Sequence, residues 1–362
     1  MDMDRASPTL MYVVILVLIL IAAAYFAYMM LLPSTECKNM DKLWGTIDGK
    51  IRPVNVTDPL CKHRVRDYYI KTAYNACSGG AYKNDYVDIC NLKSVLKQGV
   101  RCLDFEIYSV NDQPVVATSS TNNYFVKETY NSVGFADVMN TLQLFAFGTA
   151  GAPNASDPLF LHLRFRSNNT AMYKNLAKLL NQFSRFLLDS TYSFGFHGKN
   201  FGTVPLIDLM GKIVIVVSGD NNAFREIPEF FEFVNVVGNS MYMRAIPYYD
   251  IAYTPDIEEL TEFNRTGMTI GMPDKGANPP NPSGIVMREC GVQFLAMRFQ
   301  LNDTNLQESN AFFDLAGYAF VLKPERLRAE KNETEFERPP PQNPSLSYAT
   351  RQVANQYTTF EI

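Results

Sequence analysis

Apolar and polar positions divide the chain into three regimes. The first is continuously apolar from Leu10 to Leu32 apart from tyrosine rings, and no charged residue occurs between Ala6 and Thr35. At 1.5 Å per residue, these 23 positions span about 35 Å, enough to cross a bilayer with some tilt. A cleaved signal peptide would have a shorter apolar core, a basic start and a small-residue cleavage site. This chain instead opens Met1-Asp2-Met3-Asp4-Arg5, and its apolar run ends Met29-Met30-Leu31-Leu32-Pro33. The pattern predicts a short flank over 1–9 and a transmembrane helix over 10–32.

Residues 33–59 read as a linker, with Pro33, Pro53, Pro59, Gly45 and Gly49 scattered through polar sequence. Between 60 and 328, β-branched and aromatic runs alternate with helical periodicity. Strands are predicted over Tyr68–Ala73, Val100–Tyr108, Leu159–Phe165, Lys212–Val217, Phe233–Val237, Met268–Met272, Val292–Phe299 and Tyr318–Leu322. Helices are predicted between them, at Asn91–Lys97, Phe135–Phe147, Ala171–Leu188 and Ile257–Phe263. This alternation suits an α/β fold, a TIM-type β/α barrel preceded by one transmembrane helix. The remainder, 329–362, contains Pro339-Pro340-Pro341 and Pro344 and reads as an extended arm.

Composition narrows the function classes. Hydrophobic residues make up 47% of the chain, ample for a large core, and the net charge of −4 gives none of the basic footprint that nucleic-acid binding needs. Cys37, Cys61, Cys77, Cys90, Cys102 and Cys290 show no CxxC and no Cys/His cluster, so no zinc site is expected and buried free thiols are the plainer reading. Only Arg5 precedes the apolar helix, whereas Lys38, Lys42, Lys50 and Arg52 follow it. The positive-inside rule therefore places the large domain on the cytosolic side. Asn-x-Ser/Thr sequons at Asn55, Asn154, Asn168, Asn264, Asn302 and Asn332 point the other way, but an Asn-rich chain collects several by chance.

Two stretches carry a family resemblance. The first is Tyr68-Tyr69-Ile70-Lys71-Thr72-Ala73-Tyr74-Asn75, followed by Gly99-Val100-Arg101-Cys102-Leu103-Asp104-Phe105-Glu106 and Pro114-Val115-Val116. It resembles the X half of the phosphoinositide-specific phospholipase C barrel. The second is Glu289-Cys290-Gly291-Val292-Gln293-Phe294-Leu295-Ala296-Met297-Arg298-Phe299-Gln300, then Gly317-Tyr318-Ala319-Phe320-Val321-Leu322-Lys323-Pro324. It is similar to the family's Y half.

The resemblance implies a reaction run by two histidines and a calcium ion, and this chain departs from that pattern. Tyr74 stands where the first histidine is expected and Thr118 where the second is expected. A tyrosine with an ordinary pKa near ~10 is a poor base at neutral pH. Asn75 matches the first calcium ligand, and Asp104 and Glu106 match the next two with the acids exchanged. Arg164 replaces the last carboxylate. Residues 104 and 106 share one strand face, as do 162 and 164. Arg164 is therefore expected to bridge Asp104 and Glu106 in the barrel mouth in place of the metal; the alternative is that all three point to separate solvent-facing positions. The resemblance also implies phosphate ligands at positions held here by Val216, Ser218 and Ile270, with Met272 in place of a tyrosine. His162 faces inward by alternation and reads as a core histidine. His63 and His197 match no family catalytic position.

These losses fall in one layer while the framework motifs remain. The expectation is a catalytically inactive, membrane-anchored barrel without a cofactor, its calcium site lost, acting in structure, docking or assembly with protein partners. The overall look is similar to phospholipase C-like proteins of large DNA viruses, which implies a virion membrane and capsid partners as the setting, or a minor capsid component. The alternatives are a phosphodiesterase or lipase with altered catalytic residues, using Asp104, Glu106 and His162, and a module that binds a lipid headgroup without turnover.

Overall fold

The structure, a computed structural model, describes residues 8–121, 125–148 and 151–329, together with 352–354, 356 and 359–361. Strands alternate with helices from residue 68 onward. The strands are β1 (Tyr68–Ala73), β2 (Cys102–Val110), β3 (Gln113–Ala117), β4 (Val133–Gly134), β5 (Leu159–Phe165), β6 (Ile213–Val217), β7 (Val236–Val237), β8 (Met243–Pro247), β9 (Met268–Met272), β10 (Phe294–Met297) and β11 (Phe320–Leu322). The helices used below are α1 (Pro8–Trp44), α2 (Ile89–Lys97), α3 (Phe135–Thr141) and α4 (Thr170–Gln182). A separate unit from residue 329 holds β12 (Gln352–Ala354) paired antiparallel with β13 (Thr359–Glu361). The proline cluster predicted to form an extended arm lies outside the described residues.

Eight parallel strands curve in the order β7-β6-β5-β2-β1-β10-β9-β8. The β/α barrel is nearly closed, with β7 and β8 as its unpaired ends. Because side chains alternate along a strand, each contributes to two cores. Ile70, Cys102, Phe160, Val214, Ile270 and Phe294 fill the interior, while Tyr69, Leu103, Leu161, Ile213 and Leu295 pack against the helices. The loops at the carboxyl ends of the strands form the mouth, the face where barrels of this type carry their chemistry.

Three expectations are corrected here. The barrel's eighth strand is β8, which the pattern did not predict. The predicted strand Tyr318–Leu322 is instead β11, which pairs antiparallel with β1 outside the ring. The predicted linker begins as helix, since α1 continues through Pro33 to Trp44. Pro33 removes one helical donor, and the hydroxyls of Ser34 and Thr35 both donate to the Leu31 carbonyl at 2.9 Å beside it. Lastly, Cys37 and Cys90 form a disulfide rather than two buried thiols. Cys61, Cys77, Cys102 and Cys290 are buried and free, and burial pushes all four thiols up, away from reactivity.

The disulfide fixes how the apolar helix leaves the barrel. Cys37 joins the start of α2, and farther along, Asp41 lies 3.7 Å from Lys97 at its end. Gln98 then donates to the Trp44 carbonyl at 3.3 Å. The two helices therefore run side by side in the same direction. Since α2 follows β1, it starts at the mouth, so the apolar half of α1 projects from the mouth end. Among the described residues, α1 is long and apolar enough to cross a membrane.

Two sequons are closed to glycans in the folded barrel. Asn154 and Asn264 are fully buried, the first donating to the Gly99 carbonyl and the second to the Cys290 carbonyl. Asn55, Asn168 and Asn302 are exposed, and Asn332 lies outside the described residues.

Gln293 shows why the second motif group frames the fold. Its side-chain amide is fully buried and meets the carbonyls of Arg66, Asn264 and Gly267 at 2.8–3.0 Å, while its Oε1 accepts the Thr269 N–H at 2.8 Å. Replacing it with leucine strands these groups, at ~1–3 kcal/mol for each one left unmet. Gln293→Leu is expected to lower stability by about 2–3 kcal/mol in urea denaturation. An unchanged midpoint would show that other groups meet these partners.

Candidate functional site

The site is built from β2 and β5, which run side by side with Asp104 opposite His162 and Glu106 opposite Arg164. That register puts four polar side chains on the inward face at the mouth. Arg164 forks onto Asp104, with Nε 2.9 Å from Oδ1 and Nη2 2.7 Å from Oδ2. Its Nη1 donates to Glu106 at 2.6 Å, and Nη2 also reaches the side-chain oxygen of Asn75 at 2.9 Å. The Tyr74 ring lies 4.6 Å beneath the guanidinium. His162 Nδ1 sits 2.7 Å from Asp104, and because a carboxylate only accepts, that nitrogen carries the proton. Tyr108 donates to the remaining Glu106 oxygen at 2.8 Å.

Burial sets the electrostatics. Asp104, Glu106 and His162 are 0% exposed and Arg164 is 2% exposed. Burial alone would raise the Asp104 carboxyl, but Arg164 and His162 outweigh it and hold that carboxyl well below the usual range. Burial likewise opposes the charge on Arg164, yet Asp104 foremost, with Tyr74 and Glu106, raises it well above its ordinary value. Burial pushes the Tyr74 phenol up, beyond what the nearby guanidinium recovers. All four carboxylate oxygens accept hydrogen bonds, and a guanidinium stands among them. This donor set does not fit a divalent cation, because the cation would have to displace an arginine with charge-assisted bonds to both acids.

Thr118 is buried and donates to the Tyr82 carbonyl at 3.1 Å. Val216, Ile270 and Met272 belong to the apolar interior, together with Tyr74 and Tyr82, and Ser218 is buried just beyond β6. His63 precedes the first strand and His197 is exposed, so neither joins the cluster.

Sequence reading missed a second layer of cations. Arg298 lies 4.7 Å from the Tyr82 ring and bonds Asn278 at 2.7 Å and the Pro279 carbonyl. Arg166 is buried two residues beyond Arg164, and Lys275, on the loop after β9, feels the charges of Arg164, Glu106 and Arg166. Arg166 was legible by alternation from Arg164. Arg298 and Tyr82 come together across more than 200 residues, and no local pattern announces that.

Residues 61–218 match the family described as phosphatidylinositol-specific phospholipase C, X domain. Among solved structures, PLC21 of S. officinalis aligns with a TM-score of 0.59 at 19% identity, over 74% of this chain and 38% of that one. PLC21 of L. pealei aligns with a TM-score of 0.60 at 18% identity, over the same shares. The chain thus spans well under half the length of either protein, and likeness at this identity concerns the fold. No curated protein sequence matches the chain. Over residues 61–218, the chain thus carries a stretch similar to the X domain of phosphatidylinositol-specific phospholipase C, set in a β/α barrel of the same fold as those two structures.

Proposed function

We propose that this chain is a membrane-anchored phospholipase C-like barrel that does not turn over substrate and serves as a structural, docking or assembly protein. The observation that carries the reading is Arg164, whose guanidinium joins Asp104, Glu106 and Asn75 where the family resemblance implies a metal. General acid–base chemistry also lacks its players. Tyr74 is buried with its phenol raised, Thr118 has no basic nitrogen, and His162 is enclosed and tied to Asp104. Val216 and Ile270 offer a phosphate no hydrogen bond.

The projecting half of α1 supports anchoring with the mouth turned toward the bilayer. The disulfide counts against the cytosolic placement suggested by the flanking lysines, because structural disulfides are rare in a reducing cytosol. A virion membrane with capsid partners is one setting for such a role.

The test uses the full chain in nanodiscs containing phosphatidylinositol, with calcium present. Released inositol phosphate should not exceed that from empty discs, and calorimetry should give no calcium-binding heat. Arg164→Glu rebuilds an all-oxygen cluster with Asp104, Glu106 and Asn75, and millimolar calcium should raise the melting temperature of that variant alone. Turnover by the parent, or micromolar calcium binding to it, would restore the enzyme reading.

A further inference from the structure

Between β7 and β8 the barrel wall carries no hydrogen-bond ladder. A cavity of about 240 Å³ opens at this seam. Val236, Met243 and Met268 on its wall belong to the interior core, whereas Val237 and Phe231 belong to the layer under the helices. The cavity therefore reaches both apolar layers, which the paired parts of the ring keep apart.

Its rim is cationic. Lys199 and Arg225 line the cavity, both are exposed, and no carboxylate is among the lining residues. The Lys199 ammonium lies 5.9 Å from the Phe196 ring, and the Arg225 guanidinium lies 5.9 Å from the Phe231 ring. Among the described residues neither cation has an ion-pair partner, and Arg225 makes one neutral bond, to Asn222 at 3.0 Å.

The backbone beside this rim is strained. Phe194, Gly195, Phe196, His197 and Gly198 all adopt φ between 53° and 74°. The left-handed conformation costs a non-glycine residue ~1–2 kcal/mol, so Phe194, Phe196 and His197 keep it within one five-residue run only where surrounding contacts hold them. The Gly195 N–H donates to the Val234 carbonyl at 2.7 Å, and a Cβ at this glycine would come within 3.1 Å of Val237. The turn is thereby pinned against β7 with Phe194, Gly195 and Gly198 on the cavity wall.

We propose that the seam binds a medium-length alkyl chain ending in an anion, with the chain between β7 and β8 and the head at Lys199 and Arg225. At ~30 Å³ per water-sized group, the space holds roughly eight methylenes. Burying them is favourable by ~0.8 kcal/mol each before the costs of association. A carboxylate and a phosphate head share this chemistry. None of the lining residues belongs to the Arg164 network, so the proposal stands apart from whether the mouth is catalytic.

Equilibrium dialysis of the full chain in nanodiscs, against empty discs, tests it with octanoate, octyl phosphate and octanol. One equivalent of at least one anion should bind beyond the empty-disc background, and octanol should bind about tenfold more weakly. The double variant Lys199→Glu/Arg225→Glu, altered only at exposed positions, should keep its circular dichroism and lose about tenfold in affinity for the anion. Binding of one anion but not the other supports the site and identifies its head group. No binding above empty discs, octanol binding as tightly as the anions, or an unaffected double variant would each overturn the proposal.

Discussion

Replacing Arg164 with methionine is expected to destabilise the barrel by about 3–5 kcal/mol at pH 7, because it leaves two buried carboxylates without their counter-ion. Methionine roughly conserves the volume above Tyr74, so the loss is electrostatic rather than a cavity effect. In the parent, the Asp104 carboxyl is held below its usual range. Its contribution is thus present above the unfolded pKa of ~3.9 and is lost as pH falls through the folded value. In the variant the sign reverses. Burial without the guanidinium raises the folded pKa of Asp104, so stability is greatest when that acid is protonated and falls as pH rises through that value. The two stability curves should converge on acidification. Urea denaturation of parent and variant at pH 7 and pH 4.5 checks this. A deficit below ~1 kcal/mol, the range of an exposed ion pair, or one that widens in acid would remove Arg164 from its role as counter-ion.

The site was largely legible because strand alternation is a strict rule. Placing Asp104 with Glu106 and His162 with Arg164 on inward faces required only a period of two, and the β2–β5 register brings the pairs together. The sequence suggested Arg164 as a bridge between the acids, with separate solvent-facing positions as the alternative, and its guanidinium hydrogen-bonds both carboxylates. β1, β5 and β9 lie where the apolar runs predict them. β8 escaped notice because Met243-Arg244-Ala245-Ile246-Pro247 is mostly half-buried, with Arg244 bonded outward to Glu259 at 2.6 Å and Pro247 ending the ladder. The same weakness leaves the seam beside it. A strand that pairs on one side only has no reason to carry a continuous β-branched run.

The disulfide and the helical start of the linker were illegible for a different reason. Cysteines separated by 53 positions carry no pairing signal, because the bond depends on where the fold places their Cα atoms, here 5.7 Å apart. Likewise, the stretch from Ser34 to Trp44 reads as linker because the partners that dock it, such as Cys90 and Lys97 on α2 and the Phe299 carbonyl, lie outside any local window. Met40 and Glu36 are buried only because α1 lies against the barrel.

Cys90→Ser is expected to loosen this junction by up to about 4 kcal/mol, the chain-entropy value for closing a loop of that length. The barrel strands do not depend on the bond for pairing, so the loss should fall on the docked end of α1 rather than on the whole fold. Trp44, the sole tryptophan, stands at that end and donates to the Phe299 carbonyl at 2.8 Å. Its fluorescence therefore reports docking, while circular dichroism reports the barrel. In the parent the two denaturation transitions should coincide. In Cys90→Ser the Trp44 transition should move to lower urea and precede the loss of barrel signal, and a reductant should have the same effect on the parent. Coincident transitions at the parent's midpoint would mean that packing and hydrogen bonds hold the end of α1 on the barrel without help from the covalent staple.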